Sequence, residues 1–310
     1  FRVKNGSLPA IIAAGRCRST IAPMILITGS TGFIGRVLCR ALDHAGHEWR
    51  AYSGRMNSPE ALRAEIEGVD TVIHLAGAEA RGSDRLLQRV DIEGTQRLID
   101  EAQRAGVTRL ILPSRLNANP YSMHPLLRAK GEAERLVRQS GIPYTILRTS
   151  TLFGRDDRYS EIVYSLALWT WPLAWLPGGG KTQMQPLWVE DYVHCLIRTL
   201  DRPDMVDQTL VVAGNELVSY REFVRTILNA TGKQRLLLPL PMTLMRPITR
   251  VLLGWWYWPG ISRYFVDRFF VPDVTDLDVV QRRFGFHPAR FRETNTYLNR
   301  SGLRWRLFRH

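Results

Sequence analysis

The segment Thr28-Gly29-Ser30-Thr31-Gly32-Phe33-Ile34-Gly35 places three glycines three residues apart, between an apolar run and an amphipathic stretch. The first glycine permits a tight turn after a strand. The second lets the backbone come close to a bound group, and the third lets a helix pack closely on the strand. A helix that starts here points free N–H groups and partial positive charge at whatever lies beyond, which suits a pyrophosphate. The chemistry implied is the binding of a dinucleotide. Glycine spacing alone is weak evidence, but this triplet follows a strand pattern and opens a helical one, as the motif requires.

The next strand pattern reads Glu48-Trp49-Arg50-Ala51-Tyr52-Ser53-Gly54-Arg55. Sites that prefer NAD place an acid at the end of this strand to hold the ribose hydroxyls. Ser53 and Arg55 stand there instead, and a guanidinium suits a 2′-phosphate. The expectation is NADP(H) rather than NAD(H), with Arg55 as an ordinary solvated loop residue as the alternative.

The elements that must position these groups follow from alternating strand and helix patterns. Strands are expected at 24–29, 48–53, 71–76, 108–113, 144–149, 185–189 and 209–213. Helices are expected at 33–45, 59–67, 125–139, 190–200 and 219–231, with a long helical stretch over 84–105. After about residue 235 the alternation stops and a Pro-, Trp- and Phe-rich region begins. The fold class is therefore α/β, a Rossmann-type doubly wound parallel sheet with a smaller, mostly helical C-terminal subdomain. The expected division is a basic extension over 1–23, a nucleotide-binding domain over 24–235 and a Trp/Arg-rich subdomain with a basic tail over 236–310.

The 310 residues carry a formal charge of +13, with 45% hydrophobic and 23% charged side chains, a composition that excludes wholesale disorder and a polytopic membrane protein. The charge is uneven. Residues 1–23 hold four cations and no acid, and residues 281–310 hold eight Arg and one acid, so only +2 remains for residues 24–280. A nearly neutral body argues against a nucleic-acid partner, and basic ends suit an anionic surface or partner. The basic, acid-free stretch before Met24 loosely resembles a transit peptide, but an upstream start or a flexible extension is the favoured reading. Cys17, Cys39 and Cys195 are odd in number and far apart, with no disulfide framework or zinc spacing, which implies a reducing compartment. The uncharged run from Ile162 to Gly180 is broken by Pro172 and is not read as a membrane span.

Three segments together resemble the extended and atypical short-chain dehydrogenase/reductase superfamily: the glycine loop, Val72-Ile73-His74-Leu75-Ala76-Gly77, and Pro143-Tyr144-Thr145-Ile146-Leu147-Arg148. The runs Leu127–Glu134 and Gln185–Asp191 are similar to its atypical branch. That branch includes the nucleotide-binding accessory subunit of respiratory complex I, NmrA-like proteins and photosystem assembly factors. The resemblance covers residues 24–235 well and the tail only loosely. It implies a cofactor site made by Thr28, Gly29, Ser30, Thr31, Gly32, Phe33, Ile34, Gly35, Ser53, Arg55, Leu75, Ala76, Gly77, Ser114 and Lys130.

In active members a Ser, a Tyr and a Lys do the chemistry, with the last two spaced Tyr-x-x-x-Lys on one helical face. Lys130 matches the Lys and Ser114 the Ser, but Leu126 stands where the Tyr belongs. Leu126 has no proton to give, although Tyr121 or His124 in the preceding loop could substitute. Asp91 takes the position often held by Asn in Asn-x-x-Gly-Thr. Ser114 and Lys130 are then remnants that anchor the cofactor, with no confident catalytic set and no metal site. Fifteen residues, 56–70, separate the second strand from the next, and they hold one helix and its turns. The expectation is a missing third strand, with the second strand left on the sheet edge.

The periphery is aromatic and basic. Trp169, Trp171 and Trp175 form one cluster and Trp255, Trp256 and Trp258 another, with Arg246, Arg250, Arg263 and Arg268 interleaved. Such surfaces suit a protein interface or a membrane interface, and a core is the alternative. Residues 164–177, 240–270 and 300–310 are expected to meet a membrane protein complex or an anionic membrane. The resemblance implies a non-catalytic accessory or assembly subunit of a membrane-associated electron-transport complex. It would lie peripherally on the cytoplasmic side, or in an organellar matrix or stroma if residues 1–23 are a transit peptide. An NADPH-dependent oxidoreductase or epimerase, or an NmrA-like redox sensor, is the alternative.

Overall fold

The computed structural model describes residues 23–56, 58–79, 83–244, 269–294 and 296–298. The N-terminal extension before Pro23, the second Trp cluster and the tail from residue 299 lie outside the described residues.

The inner strands of the main sheet carry mostly buried apolar runs, as expected for strands covered on both faces, and the two edge strands are partly exposed. They are β1 (Ile25–Thr28), β2 (Trp49–Ala51), β3 (Thr71–His74), β4 (Arg109–Arg115), β5 (Tyr144–Thr149) and β10 (Gln208–Val212). All pair in parallel, in the order β10-β5-β4-β3-β1-β2. Helices α1 (Phe33–Ala45) and α7 (Val189–Leu200) cover one face, burying Leu38, Leu42, Val193 and Leu196 against Ile25, Ile27, Ile73 and Ile111. Helices α2 (Pro59–Ile66), α4 (Glu93–Ala105) and α5 (Pro125–Gln139) cover the other. Gly46 closes α1 in the left-handed conformation at φ 73°, returning its N–H to Asp43.

The edge position of β2 bears out the missing third strand. Among the described residues no strand lies beyond β2, and α2 occupies the short connection to β3. The long helical stretch is real but not uniform: a short turn α3 (Asp84–Leu86) leads through a π-helical turn, Leu87–Ile92, into α4. That wide turn buries Asp91.

A second core is aromatic. Helices α6 (Arg158–Trp169) and α8 (Tyr220–Ala230) pack with Phe153, Phe269, Phe291 and Leu298. Phe153 meets Phe291 edge-on at 5.0 Å, and Phe223 stacks on Phe291 at 4.6 Å. This core draws on chain from both sides of residue 235. The reason is a small parallel sheet that the sequence reading missed, β7 (Leu173–Pro177) with β12 (Leu236–Leu240). The expected strand over 185–189 shrinks to β9 (Leu187–Trp188), paired with β6 (Leu152–Phe153), because α7 already begins at Val189. The described residues also hold a short antiparallel pair, β8 (Gln183–Met184) with β11 (Val218–Ser219), and a helix α9 (Val279–Phe284).

Candidate functional site

The glycine loop sits at the C-terminal end of β1, where open α/β sheets bind ligands. Gly29 is left-handed at φ 72°, and a Cβ there would lie 2.8 Å from the backbone N of Ala76. Gly35 is packed so closely that a Cβ would lie 2.5 Å from the Ser30 carbonyl oxygen. Gly32 is exposed and begins α1, with no side chain capping the helix and no acid in its first turn. The three glycines thus hold a bare helix N-terminus against the β3 loop, a cradle that fits a pyrophosphate.

A buried relay ties this floor together. Thr95 Oγ1 donates to the Asp91 carbonyl at 2.6 Å, so it accepts from His74 Nε2 at 3.0 Å. His74 Nδ1 is then the acceptor, at 2.7 Å, for the hydroxyl of Thr28. Thr28 Oγ1 in turn accepts the Ala76 N–H at 3.2 Å. Each hydroxyl proton has one destination, which assigns the neutral Nε2–H tautomer. Burial, with the Lys130 ammonium nearby, pushes the imidazole down to about 3. Thr28 therefore supports the loop from beneath, and Leu75, Ala76 and Gly77 form the wall facing it.

Lys130 lies on α5 at the far end of the cleft, its Nζ donating to Asp91 Oδ1 at 2.8 Å. Asp91 Oδ2 accepts the Ala78 N–H at 2.8 Å. Burial disfavours the ammonium, but the Asp91 carboxylate outweighs it and raises the Lys130 pKa. A Cβ on Gly77 would lie 3.1 Å from both Lys130 Nζ and Asp91 Oδ1, so the ion pair packs closely against this wall. Leu126, one turn earlier, is buried with Ala78, Leu87 and Ala129. Tyr121 is 90% exposed. His124 stacks beside Phe270 at 6.5 Å.

Ser114 does not join the others as expected. Its hydroxyl donates to Glu134 Oε1 at 2.6 Å, within a buried cluster completed by Arg148 and Arg138. Strand alternation is the cause: Ser114 turns toward α5, and Arg115 takes the opposite face. Arg115 is the residue that the sequence reading missed: alternation gives its face, but only the packing gives its partners. Its guanidinium lies 3.5 Å from Glu79 and 3.6 Å from Asp273. Burial lowers the Arg115 pKa, but those two carboxylates outweigh it and hold it raised. Asp273 also accepts the Thr151 hydroxyl at 2.8 Å. It comes from a strap fastened by Asn117 to Pro272 and by Thr275 to Gln185, and no local pattern announced it.

At the tip of β2, Arg55 is exposed, and among the described residues its guanidinium has no partner. Ser53 is engaged by Glu65, with its N–H at 3.1 Å and its hydroxyl at 2.8 Å from the carboxylate.

This is a Rossmann-type nucleotide-binding fold with a glycine cradle, a lysine beside the Gly77 wall and, among the described residues, no strand beyond β2. A family model described as NAD(P)H-binding matches residues 48–165. The photosystem II assembly factor Ycf39 of Synechocystis is 25% identical over 301 residues, spanning 88% of this chain and 89% of that protein. The mouse mitochondrial NADH dehydrogenase [ubiquinone] 1 alpha subcomplex subunit 9 is also 25% identical, over 87% of this chain and 78% of its own length. Among solved structures, MoeE5 in complex with UDP-glucose and NAD has a TM-score of 0.69 at 21% identity, over 88% of this chain and 97% of its own. A short-chain dehydrogenase/reductase superfamily protein from Agrobacterium tumefaciens with bound NAD has a TM-score of 0.65 at 20% identity, over 88% and 94%. The fold is that of these solved short-chain dehydrogenase/reductase-type structures, and within it residues 48–165 match an NAD(P)H-binding domain.

Proposed function

We propose that the chain is an NAD(P)H-binding accessory or assembly subunit of a membrane-associated electron-transport complex, respiratory or photosynthetic, without turnover of its own. The observation that carries this reading is Leu126. It fills the position of the family's proton donor with a side chain packed among Ala78, Leu87 and Ala129, while Lys130 is ion-paired with Asp91. The relatives, a photosystem II assembly factor and a subunit of NADH dehydrogenase, support the partner class. The glycine loop would hold the pyrophosphate and Lys130 the nicotinamide ribose, while unpaired Arg55 favours NADP(H), bound as a structural cofactor.

Docking is assigned to the aromatic side. Trp171 is 72% exposed and Leu236 63%, and Trp175 projects from the same outer face of the β7–β12 pair. Paired positions on that face are Leu173 with Leu236 and Trp175 with Leu238, whereas Ala174, Leu176 and Leu237 face the core. An apolar outer face of this kind fits a partner or a lipid headgroup layer. The basic, Trp-rich sequences 245–268 and 300–310, which lie outside the described residues, are assigned to the same role. Among the described residues no helix is long and apolar enough to cross a membrane. Attachment is then peripheral, with an anionic surface as one component.

The test is recovery of the tagged chain from detergent-solubilised membranes. The expected result is co-recovery of subunits of an electron-transport complex, with NADP(H) bound and release by salt. NADPH oxidation with a carbonyl or sugar-nucleotide panel that disappears in Lys130→Ala would instead establish a reductase or epimerase.

A further inference from the structure

The shortened connection after β2 has a consequence at the cofactor's adenosine end. With no third strand to span, α2 lies directly along the β2 edge, its Leu62 and Ile66 buried with Tyr52 and Met56. The last turn of α2 then carries Glu65 to the tip of β2, where its carboxylate accepts both the N–H and the hydroxyl of Ser53. Arg50 fixes the same turn by donating to the Glu65 carbonyl at 2.9 Å. The tip itself is rigidly built. Tyr52 donates its hydroxyl to the Arg55 carbonyl at 2.8 Å, and Gly54 lies so close over the ring that a Cβ would stand 2.6 Å from that hydroxyl.

A carboxylate therefore stands at a place where the local sequence has no acid, and it holds the N–H and hydroxyl of Ser53, two residues before Arg55. We infer that Glu65 is the selectivity residue of the adenosine-ribose end and that it opposes Arg55. Arg55 attracts a 2′-phosphate. Glu65 repels one and keeps the Ser53 donors from it, whereas a 2′-hydroxyl can donate to the same carboxylate. Two charges on a phosphate near one carboxylate in water, about 6 Å apart, correspond to roughly a tenfold change in affinity. The preference for NADP(H) is then the balance of two residues. This inference rests on the reading that the glycine loop holds NAD(P)H.

The experiment is isothermal titration of NADPH and NADH into the full chain after bound nucleotide has been removed. It is run for the wild type, Glu65→Gln, Glu65→Lys and Arg55→Ala, with a thermal melt for each. Glu65→Gln should tighten NADPH about tenfold and Glu65→Lys further, with NADH unchanged or weaker. Arg55→Ala should weaken NADPH alone. Two nucleotides that both bind, in a ratio unmoved by Gln and by Lys at position 65, would overturn the assignment of Glu65 alone. Failure of both nucleotides to bind the wild type and every folded variant would overturn the nucleotide-binding reading, and this inference with it.

Discussion

Replacing Glu134 by Gln tests whether Ser114 belongs to a structural cluster and not to the cofactor cleft. Glu134 is fully buried and takes four hydrogen bonds: Ser114 Oγ at 2.6 Å, Arg148 Nε at 2.8 Å, Arg148 Nη2 at 2.6 Å and Arg138 Nη2 at 2.7 Å. Gln keeps the volume but removes the charge and turns an NH₂ toward donors, so two of these bonds are lost. Bonds to charged groups contribute about 1.5–3 kcal/mol each, and breaking a buried ion pair costs about 3–5 kcal/mol. The arginine side chains are 28% and 36% exposed, so water recovers part of the loss. The expected destabilisation is about 3 kcal/mol, near the lower end of that range. For a domain of this size it lowers the melting temperature by roughly 6–12 °C. The assay is urea unfolding, read as a shift in midpoint at constant slope, with nucleotide titration in parallel. Ser114→Ala should cost about 1–2 kcal/mol and leave NADPH affinity unchanged. A Glu134→Gln protein within 1 kcal/mol of wild type, or a Ser114→Ala protein that folds normally but loses the nucleotide, would refute the reasoning.

Three further outcomes are expected. His74 has a folded pKa of about 3 against an ordinary 6.5, so only the unfolded chain takes up this proton in between. Its contribution to stability is complete above pH 6.5 and declines as the pH falls toward 3, by up to about 1.4 kcal/mol per unit; urea midpoints from pH 7.5 to 4.5 should therefore fall more steeply for wild type than for His74→Asn. Gly35→Ala drives a Cβ into the Gly29 and Ser30 carbonyls, so it should abolish nucleotide binding by titration and cost about 1–3 kcal/mol in thermal unfolding. Leu126→Tyr overfills the Ala78–Leu87–Ala129 cluster by a similar amount. It should yield no NADPH turnover while Asp91 holds Lys130, and turnover on a carbonyl panel would contradict that expectation.

What could be read without a structure was whatever depends on neighbours in sequence. The glycine loop, α1 over 33–45, α5 over 125–139 and β5 over 144–149 follow from local spacing and periodicity, and the structure has them. The missing third strand was legible too, because fifteen residues are too few for two helices and a strand. So was Leu126, since one position four residues before a lysine decides it. The β7–β12 pair was not legible: apolar pentapeptides more than fifty residues apart carry no mark of their pairing.

The sequence by itself therefore determined the fold, the glycine loop at the end of β1 and the leucine four residues before Lys130. Tertiary structure alone decided which side chains complete the site. Strand alternation carried Ser114 away to Glu134 and brought Arg115 to meet Glu79 and Asp273. The π-helical turn delivered Asp91 to Lys130, and the shortened connection delivered Glu65 to Ser53. A charge is placed by the element that carries it, and its partner by the packing of another. Spacing along the chain records the first of these, and only the folded arrangement records the second.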